Sequence, residues 1–371
     1  MKIDRQFVER LKTKVIEHAV FRDVMELVLG KIQYDGSTGF GLVIGVTGVG
    51  KTTAIRRLAK ILSEHVATGR HGDLGPPIVL TMAAPERQVF SWPDFYRTSL
   101  VDGIKDPLFE KRVDLEAAMT NYIRDGARHR YHVASTFTLR KAFIEGTNHR
   151  RPIALFIDEV QQLCKVTSRD KAHVNLDVLK SLSDVLRCPV IAAGTSKAYE
   201  MLYDNEQTAR RADVITFRRY GASDDDASDY RDVILGIEKT LGVPLAEDIA
   251  GDSVYFYRGT LGCVGITMDW VLRAVALCAK QGQQVVTRQH FEKKRLEDKA
   301  LEALARAVKT ADALQKERGS FDAVANLGET ETYYGTAPAQ KGRSGAAKPG
   351  RRNPTLDPAG GLESEMAREL R

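Results

Sequence analysis

Apolar and polar positions alternate along the chain in a pattern that predicts helices interleaved with buried strands. Helical spacing of apolar residues extends through residues 1–35, and it recurs after each strand candidate. Short apolar runs bounded by turn residues predict strands at 40–44, 78–83, 152–157, 189–193 and 214–217. Strands alternating with helices are typical of an α/β fold around a parallel sheet.

From Ser223 the pattern becomes helical through residue 315, which predicts a small helical domain in which the acidic run 224–226 caps the first helix. The last periodic segment runs from His290 to about Glu317. Residues 336–371 are rich in Gly, Ala, Pro and Arg and predict a basic, disordered tail. We therefore divide the chain into an N-terminal helical segment (1–35), an α/β domain (36–222), a helical domain (223–320) and a tail (321–371).

Composition narrows the class of protein. The chain has 371 residues, of which 43% are hydrophobic, enough for a sizeable core. No apolar run is long enough to span a membrane, and the chain begins with charged residues, so we expect a cytoplasmic protein. The four cysteines lack metal-ligand spacing. A net charge of +6 is compatible with a polyanionic partner but does not require one.

The first candidate for chemistry follows the strand at 40–44. The segment fits the pattern G-x-x-x-x-G-K-[ST] between a strand and a helix, which predicts a loop that holds the phosphates of ATP or GTP. Lys51 would reach the β- and γ-phosphates, and Thr52 would hold Mg²⁺. The predicted nucleotide-binding residues are Gly45, Val46, Thr47, Gly48, Val49, Gly50, Lys51, Thr52 and Thr53.

Two carboxylates follow the strand candidate at 152–157, and a polar residue lies just after the one at 189–193. In an open α/β sheet, ligands bind at the carboxyl ends of the strands. We expect Asp158 to hold Mg²⁺ through water, and Glu159 to polarise the attacking water as a general base. Thr195 would lie between these carboxylates and the γ-phosphate, although a plain turn is the alternative.

Paired arginines precede the strand candidate at 214–217. Arg210 and Arg211 are candidates for an arginine finger that reaches the γ-phosphate of a neighbouring subunit, or for part of a solvated face.

Taken together, the motifs resemble those of the AAA+ ATPases that regulate DNA transposition, the TniB/TnsC type. The resemblance covers roughly residues 10–300 and leaves the tail outside. It rests on the phosphate loop, the segments 155–163 and 193–195, the pattern Gln207-x-x-Arg210-Arg211, and the pattern Thr260-x-Gly262-x-x-Gly265 before the apolar helix at 268–279.

The resemblance implies an AAA+ sheet sandwiched by helices, with a helical lid. It also implies ATP and Mg²⁺ as cofactors and a homo-oligomer, either a ring or a helical filament, that encircles double-stranded DNA. Such an oligomer recruits a transposase to a target chosen by a separate targeting factor, in some relatives a CRISPR-guided complex. Many AAA+ lids also carry an arginine that senses the γ-phosphate, for which Arg258 and Arg273 are the candidates here.

Sequence-independent DNA binding requires basic side chains directed at phosphates. In the family this chain resembles, the segment before the Asp-Glu strand tends to line the pore, and there the candidates are Arg124, Arg128, Arg130, Arg140 and Lys141. An ordinary solvated helix surface is the alternative. Two other functions share most of these motifs: a helicase loader or origin-recognition ATPase, and a signalling or secretion ATPase that binds no nucleic acid.

Overall fold

Five parallel strands form the centre of the fold in the computed structural model, which describes residues 3–34, 40–85, 89–104, 136–166, 168–203 and 212–319. The strands are β1 (Phe40–Ile44), β2 (Ile78–Thr81), β3 (Leu155–Asp158), β4 (Val190–Gly194) and β5 (Ala212–Thr216). Their order across the sheet is β2-β3-β4-β1-β5, and every pair is parallel. The carboxyl ends of β1, β3 and β4 therefore lie side by side.

Helices surround this sheet and continue beyond its last strand. They are α1 (Arg5–Lys12), α2 (Ala19–Tyr34), α3 (Lys51–Ala67), α4 (Trp92–Thr98), α5 (Thr136–Arg150), α6 (Arg169–Val185), α7 (Ser196–Tyr203), α8 (Asp224–Leu241), α9 (Ser253–Thr260), α10 (Val264–Lys280), α11 (Arg288–Glu292) and α12 (Asp298–Gly319). A π-helical turn, Ser99–Ile104, extends α4, and a 3₁₀ turn, Val160–Cys164, follows β3. The predicted α/β fold, with its sheet sandwiched by helices, is confirmed.

The sheet buries both faces because successive side chains of a strand point to opposite sides. Val43, Phe156 and Ile191 pack on the side of α2 and α3. Leu42, Leu155 and Ala192 pack on the other side, against α4 to α7. Residues of β1, β3 and β4 are nearly all shielded from solvent, which explains why these strands are continuous apolar runs in the sequence.

The helices α8 to α11 follow the sheet and pack around an aromatic cluster. Phe256, Trp270 and Phe291 are buried against one another with ring centroids 5.2–5.7 Å apart. The cap of α8 is Ser223, which accepts a hydrogen bond from the Asp226 amide, and not the acidic run that the sequence suggested. The acidic run fills the first turn of the helix, where negative charge is favourable. We refer to residues 223–292 as the lid.

Two predicted helical segments are each broken in the structure. The N-terminal one divides into α1 and α2 around residues 13–18, and the last periodic segment divides into α11 and α12 around residues 293–297. In the second case the carbonyl of Phe291, which a continuous helix would pair with residue 295, accepts the Trp270 indole N–H at 2.8 Å. Leu296 still packs on the core, so the apolar spacing persists across the break.

Helix α12 returns from the lid to the sheet. Arg219, at the end of the segment after β5, donates to Asp312 on α12 at 2.6 Å and to the Tyr257 hydroxyl on α9 at 2.9 Å. Its side chain is 14% exposed. This arginine therefore ties α12, α9 and the end of the sheet together.

No single helix among the described residues is long and apolar enough to span a membrane; α9 and α10, bent by 106°, reach that length and composition only when they are taken together. All four cysteines are free thiols. The predicted tail, residues 321–371, lies outside the described residues.

Candidate nucleotide-binding site

The segment between β1 and α3 forms a tight loop at the carboxyl edge of the sheet. Gly48 and Gly50 adopt φ angles of 84° and 115°, in the left-handed region that side chains other than glycine rarely adopt. Position 45 requires glycine for a steric reason, since a Cβ there would lie 2.5 Å from the Phe217 carbonyl oxygen. The loop leads directly into α3, whose N-terminus favours a bound anion.

Lys51 lies beneath this loop. Its ammonium donates to the carbonyl oxygens of Gly45 and Val46 at 2.8 and 3.0 Å, and the residue is buried. Burial lowers the pKa of Lys51 from 10.5 to about 8, although the carboxylates of Asp158 and Glu159 act in the opposite direction. A triphosphate bound in the loop would face this charge directly, so it would favour the ammonium form.

The first threonine of α3 meets the first carboxylate of β3. The Thr52 hydroxyl donates to Asp158 Oδ2 at 2.6 Å, and the Glu159 amide donates to Asp158 Oδ1 at 2.8 Å. A hydroxyl and a carboxylate are hard oxygen ligands, which Mg²⁺ prefers in phosphate sites. The donor set of Thr52 and Asp158 therefore fits Mg²⁺.

Glu159 leaves the strand in an unusual conformation. Its φ and ψ are 63° and 32°, a left-handed geometry that is uncommon outside glycine and asparagine. Gln161, on the 3₁₀ turn that follows, donates to Glu159 Oε2 at 2.6 Å. Sequence reasoning assigned no role to this glutamine, although it lies within the motif that carries the family resemblance.

Thr195 follows β4 and lines the same cavity as Glu159 and the loop. The strands β3, β4 and β1 are neighbours, so the tips that carry Asp158, Thr195 and Gly45 meet at one edge. The structure thus brings together the predicted loop, both carboxylates and Thr195.

The lid closes one side of the site. The Ile266 amide donates to the Gly48 carbonyl oxygen at 3.1 Å, and Gly265 lies so close that a Cβ there would be 2.5 Å from that oxygen. Met268, Asp269 and Leu272 of α10 face the cavity. Sequence reasoning placed Gly265 in a motif but did not predict this contact.

The two arginines predicted as lid sensors lie elsewhere. Both are among the described residues, and neither lines the nucleotide cavity. Arg258 is exposed on α9, and Arg273 is exposed and donates to the Asp269 carbonyl of its own helix. The charged lid residue that lines the cavity is instead Asp269.

The break between α1 and α2 supplies the opposite wall. Val15, Ile16, His18 and Phe21 line the cavity, as does the exposed Lys14. His18 Nδ1 lies 3.0 Å from the Tyr220 hydroxyl and 3.3 Å from the Phe21 amide. Burial lowers the pKa of His18 to about 4, and Arg22 and Arg218 add to the effect.

The complete cavity has a volume of about 460 Å³. Its walls come from the phosphate loop, the strand tips, the lid and the residues around the first helix break. The residues that line it are Lys12, Lys14, Val15, Ile16, His18, Phe21, Thr47, Gly48, Val49, Gly50, Lys51, Thr52, Thr53, Glu159, Gln161, Thr195, Val264, Gly265, Met268, Asp269 and Leu272.

Most basic residues proposed for other contacts lie outside the described residues: Arg124, Arg128, Arg130, Arg210 and Arg211. Arg140 is half-buried on α5 and donates to the Ser181 hydroxyl on α6 at 3.0 Å. Lys141 is exposed and lies 3.7 Å from Glu145 on the same helix. Of this pair, Lys141 has the side chain that faces solvent.

Comparisons with known proteins agree with this geometry. Residues 34–202, somewhat less than half of the chain, match a family model described as an AAA domain. The fold is similar to that of the Aeropyrum pernix ORC1 protein, solved in complex with DNA, with a TM-score of 0.50 and 16% identity over 78% of this chain and 68% of that one. The Aeropyrum pernix ORC2 protein, solved as ADPNP-ADP complexes, gives a TM-score of 0.49 and 12% identity over 84% and 72% of the two chains.

No curated protein matches this sequence. The match to the family model covers the phosphate loop, Glu159 and Thr195, which line the cavity, and Asp158, which accepts a hydrogen bond from Thr52. Residues 34–202 are therefore similar to an AAA domain, and the fold is similar to that of the ORC1 protein.

Proposed function

We propose that the protein binds ATP in this cavity and hydrolyses it. The observation that carries the proposal is the contact of 2.6 Å between Thr52 and Asp158, which joins the phosphate loop to the tip of β3 beside a buried Lys51. This arrangement gives one site both a phosphate cradle and oxygen ligands for a divalent cation.

Each side chain has one role in this reaction. Lys51 and the amides of the loop bind the β- and γ-phosphates, and Thr52 and Asp158 would hold Mg²⁺, which neutralises charge that develops on the phosphate oxygens. Glu159 accepts a proton from a water molecule while the oxygen of that water forms a bond to the γ-phosphorus. The bond from that phosphorus to the bridging oxygen breaks, and the products are ADP and phosphate.

We further propose that hydrolysis controls an oligomer on DNA, and that the protein regulates DNA transposition as proteins of the TniB/TnsC type do. The motifs from the phosphate loop to Gly265 support this function, as does the net charge of +6. In this proposal Arg210 or Arg211 reads the γ-phosphate of the neighbouring subunit. Basic residues at 124–141 contact the DNA backbone, and the oligomer recruits a transposase to a site that a targeting factor selects.

Imaging by negative stain tests this proposal most directly. The purified protein is mixed with duplex DNA and ATP, a slowly hydrolysed analogue, or ADP. Rings or filaments on DNA are expected with ATP or its analogue but not with ADP, because the γ-phosphate contact between subunits favours assembly. A protein that stays monomeric and does not bind DNA in any nucleotide state would contradict the proposal and favour a signalling ATPase.

Two variants separate nucleotide binding from hydrolysis. Lys51→Ala should abolish nucleotide binding and assembly, whereas Glu159→Gln should bind ATP, fail to hydrolyse it, and accumulate as the DNA-bound oligomer. If Glu159→Gln turned over ATP at the normal rate, the assignment of the general base would be wrong.

A replication-initiator function is the second candidate, and the fold similarity to the archaeal ORC1 protein favours it. The two functions differ in how they select DNA. A transposition regulator of this type binds DNA independently of sequence, so its affinity falls steeply with salt on every duplex. Preference for one duplex over a scrambled duplex by a factor of about 10³ or more, at matched salt, would support the initiator.

The tail and the helix that ends near Glu317 are the proposed binding site for partner proteins, because both lie outside the part of the chain that resembles the transposition ATPases. Deletion of residues 321–371 should leave ATP hydrolysis unchanged and weaken recruitment of the transposase. Unchanged recruitment by the truncated protein would refute this assignment.

A further inference from the structure

Gln161 occupies a position between the two strand tips that carry Glu159 and Thr195. The residue is 8% exposed, and it lines the nucleotide cavity. Its amide nitrogen donates to Glu159 Oε2 at 2.6 Å. The carbonyl oxygen of the same amide is buried without a hydrogen-bond partner among the described residues.

The orientation of this amide follows from electrostatics. A carboxylate only accepts hydrogen bonds, so the NH₂ group of Gln161 must face Glu159. The carbonyl oxygen then points toward the tip of β4, where it lies 3.1 Å from the position that a Cβ on Gly194 would occupy. The amide therefore lies between Glu159 and the tip of β4.

The turn that carries Gln161 is firmly anchored. Val160 and Leu163 are both fully buried, and Asn175 of α6 donates to the Leu163 carbonyl at 3.2 Å. Such a support limits the motion of the glutamine side chain, which is what a group that orients another group requires. Glu159, which precedes this turn, has a left-handed backbone, and its carboxylate contacts Gln161.

We propose that Gln161 is a positioning residue for ATP hydrolysis. Its NH₂ group holds the Glu159 carboxylate in the orientation in which it accepts a proton from the attacking water. The carbonyl oxygen of the amide stays buried against the tip of β4. The inference rests on the proposed ATPase function and adds a residue to it.

The central test is Gln161→Met, which keeps the length and burial of the side chain but removes both polar atoms. Loss of a hydrogen bond to a charged group should lower kcat about 10- to 100-fold. Affinity for a fluorescent ATP analogue should change less than about threefold, since the hydrogen bond of the amide is to the proposed general base. The matched control is Gln162→Met on the same turn, for which kcat should stay near the wild-type value.

A second variant tests the reach of the amide. Gln161→Asn keeps the amide group but shortens the side chain by one methylene, so its NH₂ group should no longer reach Glu159 Oε2. Its kcat should fall to within about threefold of that of Gln161→Met, while affinity for the ATP analogue stays near the wild-type value. A wild-type kcat in Gln161→Asn would overturn the proposal even if Gln161→Met folded poorly.

The effects of the two residues should also be interdependent. In single-turnover reactions, Gln161→Met should slow the residual hydrolysis by Glu159→Gln by less than about threefold, because the general base is already lost. An equal slowing in both backgrounds would show that Gln161 acts independently of Glu159 and would refute the positioning role.

Failure of the ATPase proposal itself would look different. If the wild-type protein hydrolysed no ATP, or if Glu159→Gln were fully active, the assignment of the site would fail and the glutamine proposal with it. If Glu159→Gln were inactive while Gln161→Met kept the wild-type kcat, only the glutamine proposal would be refuted.

Discussion

The contact between the lid and the phosphate loop depends on the absence of one methyl group. Gly265, at the start of α10, has no positive φ, so its glycine is required by space and not by backbone conformation. In Gly265→Ala the new Cβ would lie 2.5 Å from the Gly48 carbonyl oxygen, where ordinary contacts begin at 3.4 Å. The lid would have to withdraw from the loop by about 0.9 Å along this direction.

The cost of this withdrawal can be estimated from its parts. The hydrogen bond from the Ile266 amide to the Gly48 oxygen, now 3.1 Å long, would stretch beyond bonding distance, which costs about 1 kcal/mol. Overpacking of a close contact costs about 1–3 kcal/mol more. Gly265, Met268 and Leu272 form a wall of the nucleotide cavity. A loss of at least about 2 kcal/mol in the packing of the lid on the loop would therefore weaken nucleotide binding at least about 30-fold.

Titration with a fluorescent ATP analogue, together with thermal unfolding of the free protein, measures this effect. Gly236→Ala is the matched control, because Gly236 lies within α8 and nothing lies within 4 Å of its added Cβ. This control should keep the wild-type affinity and gain about 0.5–1 kcal/mol of stability from helix propensity. Wild-type affinity and an unchanged Tm in Gly265→Ala would refute the role of the lid contact.

Three further predictions follow from charges in the described residues. The pKa of His18 is about 4 in the folded state and 6.5 as the reference value, so the folded protein resists protonation and stability should fall as pH drops below 6.5. Between pH 6.5 and 5 the loss of stability should be about 1.6 kcal/mol, and thermal unfolding of His18→Asn over the same pH range should lack this loss. An equal dependence on pH in the variant would contradict the assignment. Asp312→Ala should lower the free energy of unfolding by about 1–2 kcal/mol, because it leaves the half-buried Arg219 without its carboxylate partner. In the control, Asp298→Ala, the ion pair with Arg295 is exposed by 75% and 49%, so chemical denaturation should show a loss below about 0.5 kcal/mol. Similar losses in the two variants would contradict the role of Arg219 in joining α12 to the sheet. Asp158→Asn should bind ATP as tightly as the wild type when a chelator removes Mg²⁺, but Mg²⁺ should raise the affinity of the variant much less than that of the wild type. Calorimetry with and without chelator measures both affinities. An equal increase in the two proteins would exclude Asp158 from the metal site.

Several features of the site were predictable because they depend on contiguous residues. The phosphate loop, Lys51 and Thr52 follow from one pattern between a strand and a helix, and Asp158 and Glu159 follow from their position at the end of an apolar run. Parallel strands place all of their carboxyl ends at one edge, so the meeting of the loop with Asp158 and Thr195 was also predictable. The basic residues at 124–130 and 210–211 stay predictions, because they lie outside the described residues.

Other features required the tertiary structure because they join residues that are far apart in the chain. His18 and Tyr220 lie 202 positions apart and meet at 3.0 Å beside the cavity, whereas the sequence shows only one helical pattern through residues 13–18. That pattern persists across the break because Val15 and Ile16 still pack on the core, so periodicity alone does not reveal the loop.

By itself, therefore, the sequence determined the α/β fold and the phosphate loop with its two carboxylates, since local patterns and strand direction specify both. Only the tertiary structure decided which residues complete the cavity. It placed Asp269 in the lid wall where an arginine was expected, brought Gly265 against Gly48, and turned Gln161 toward Glu159. Such contacts depend on the packing of separate elements, and spacing along the chain carries no signal for them.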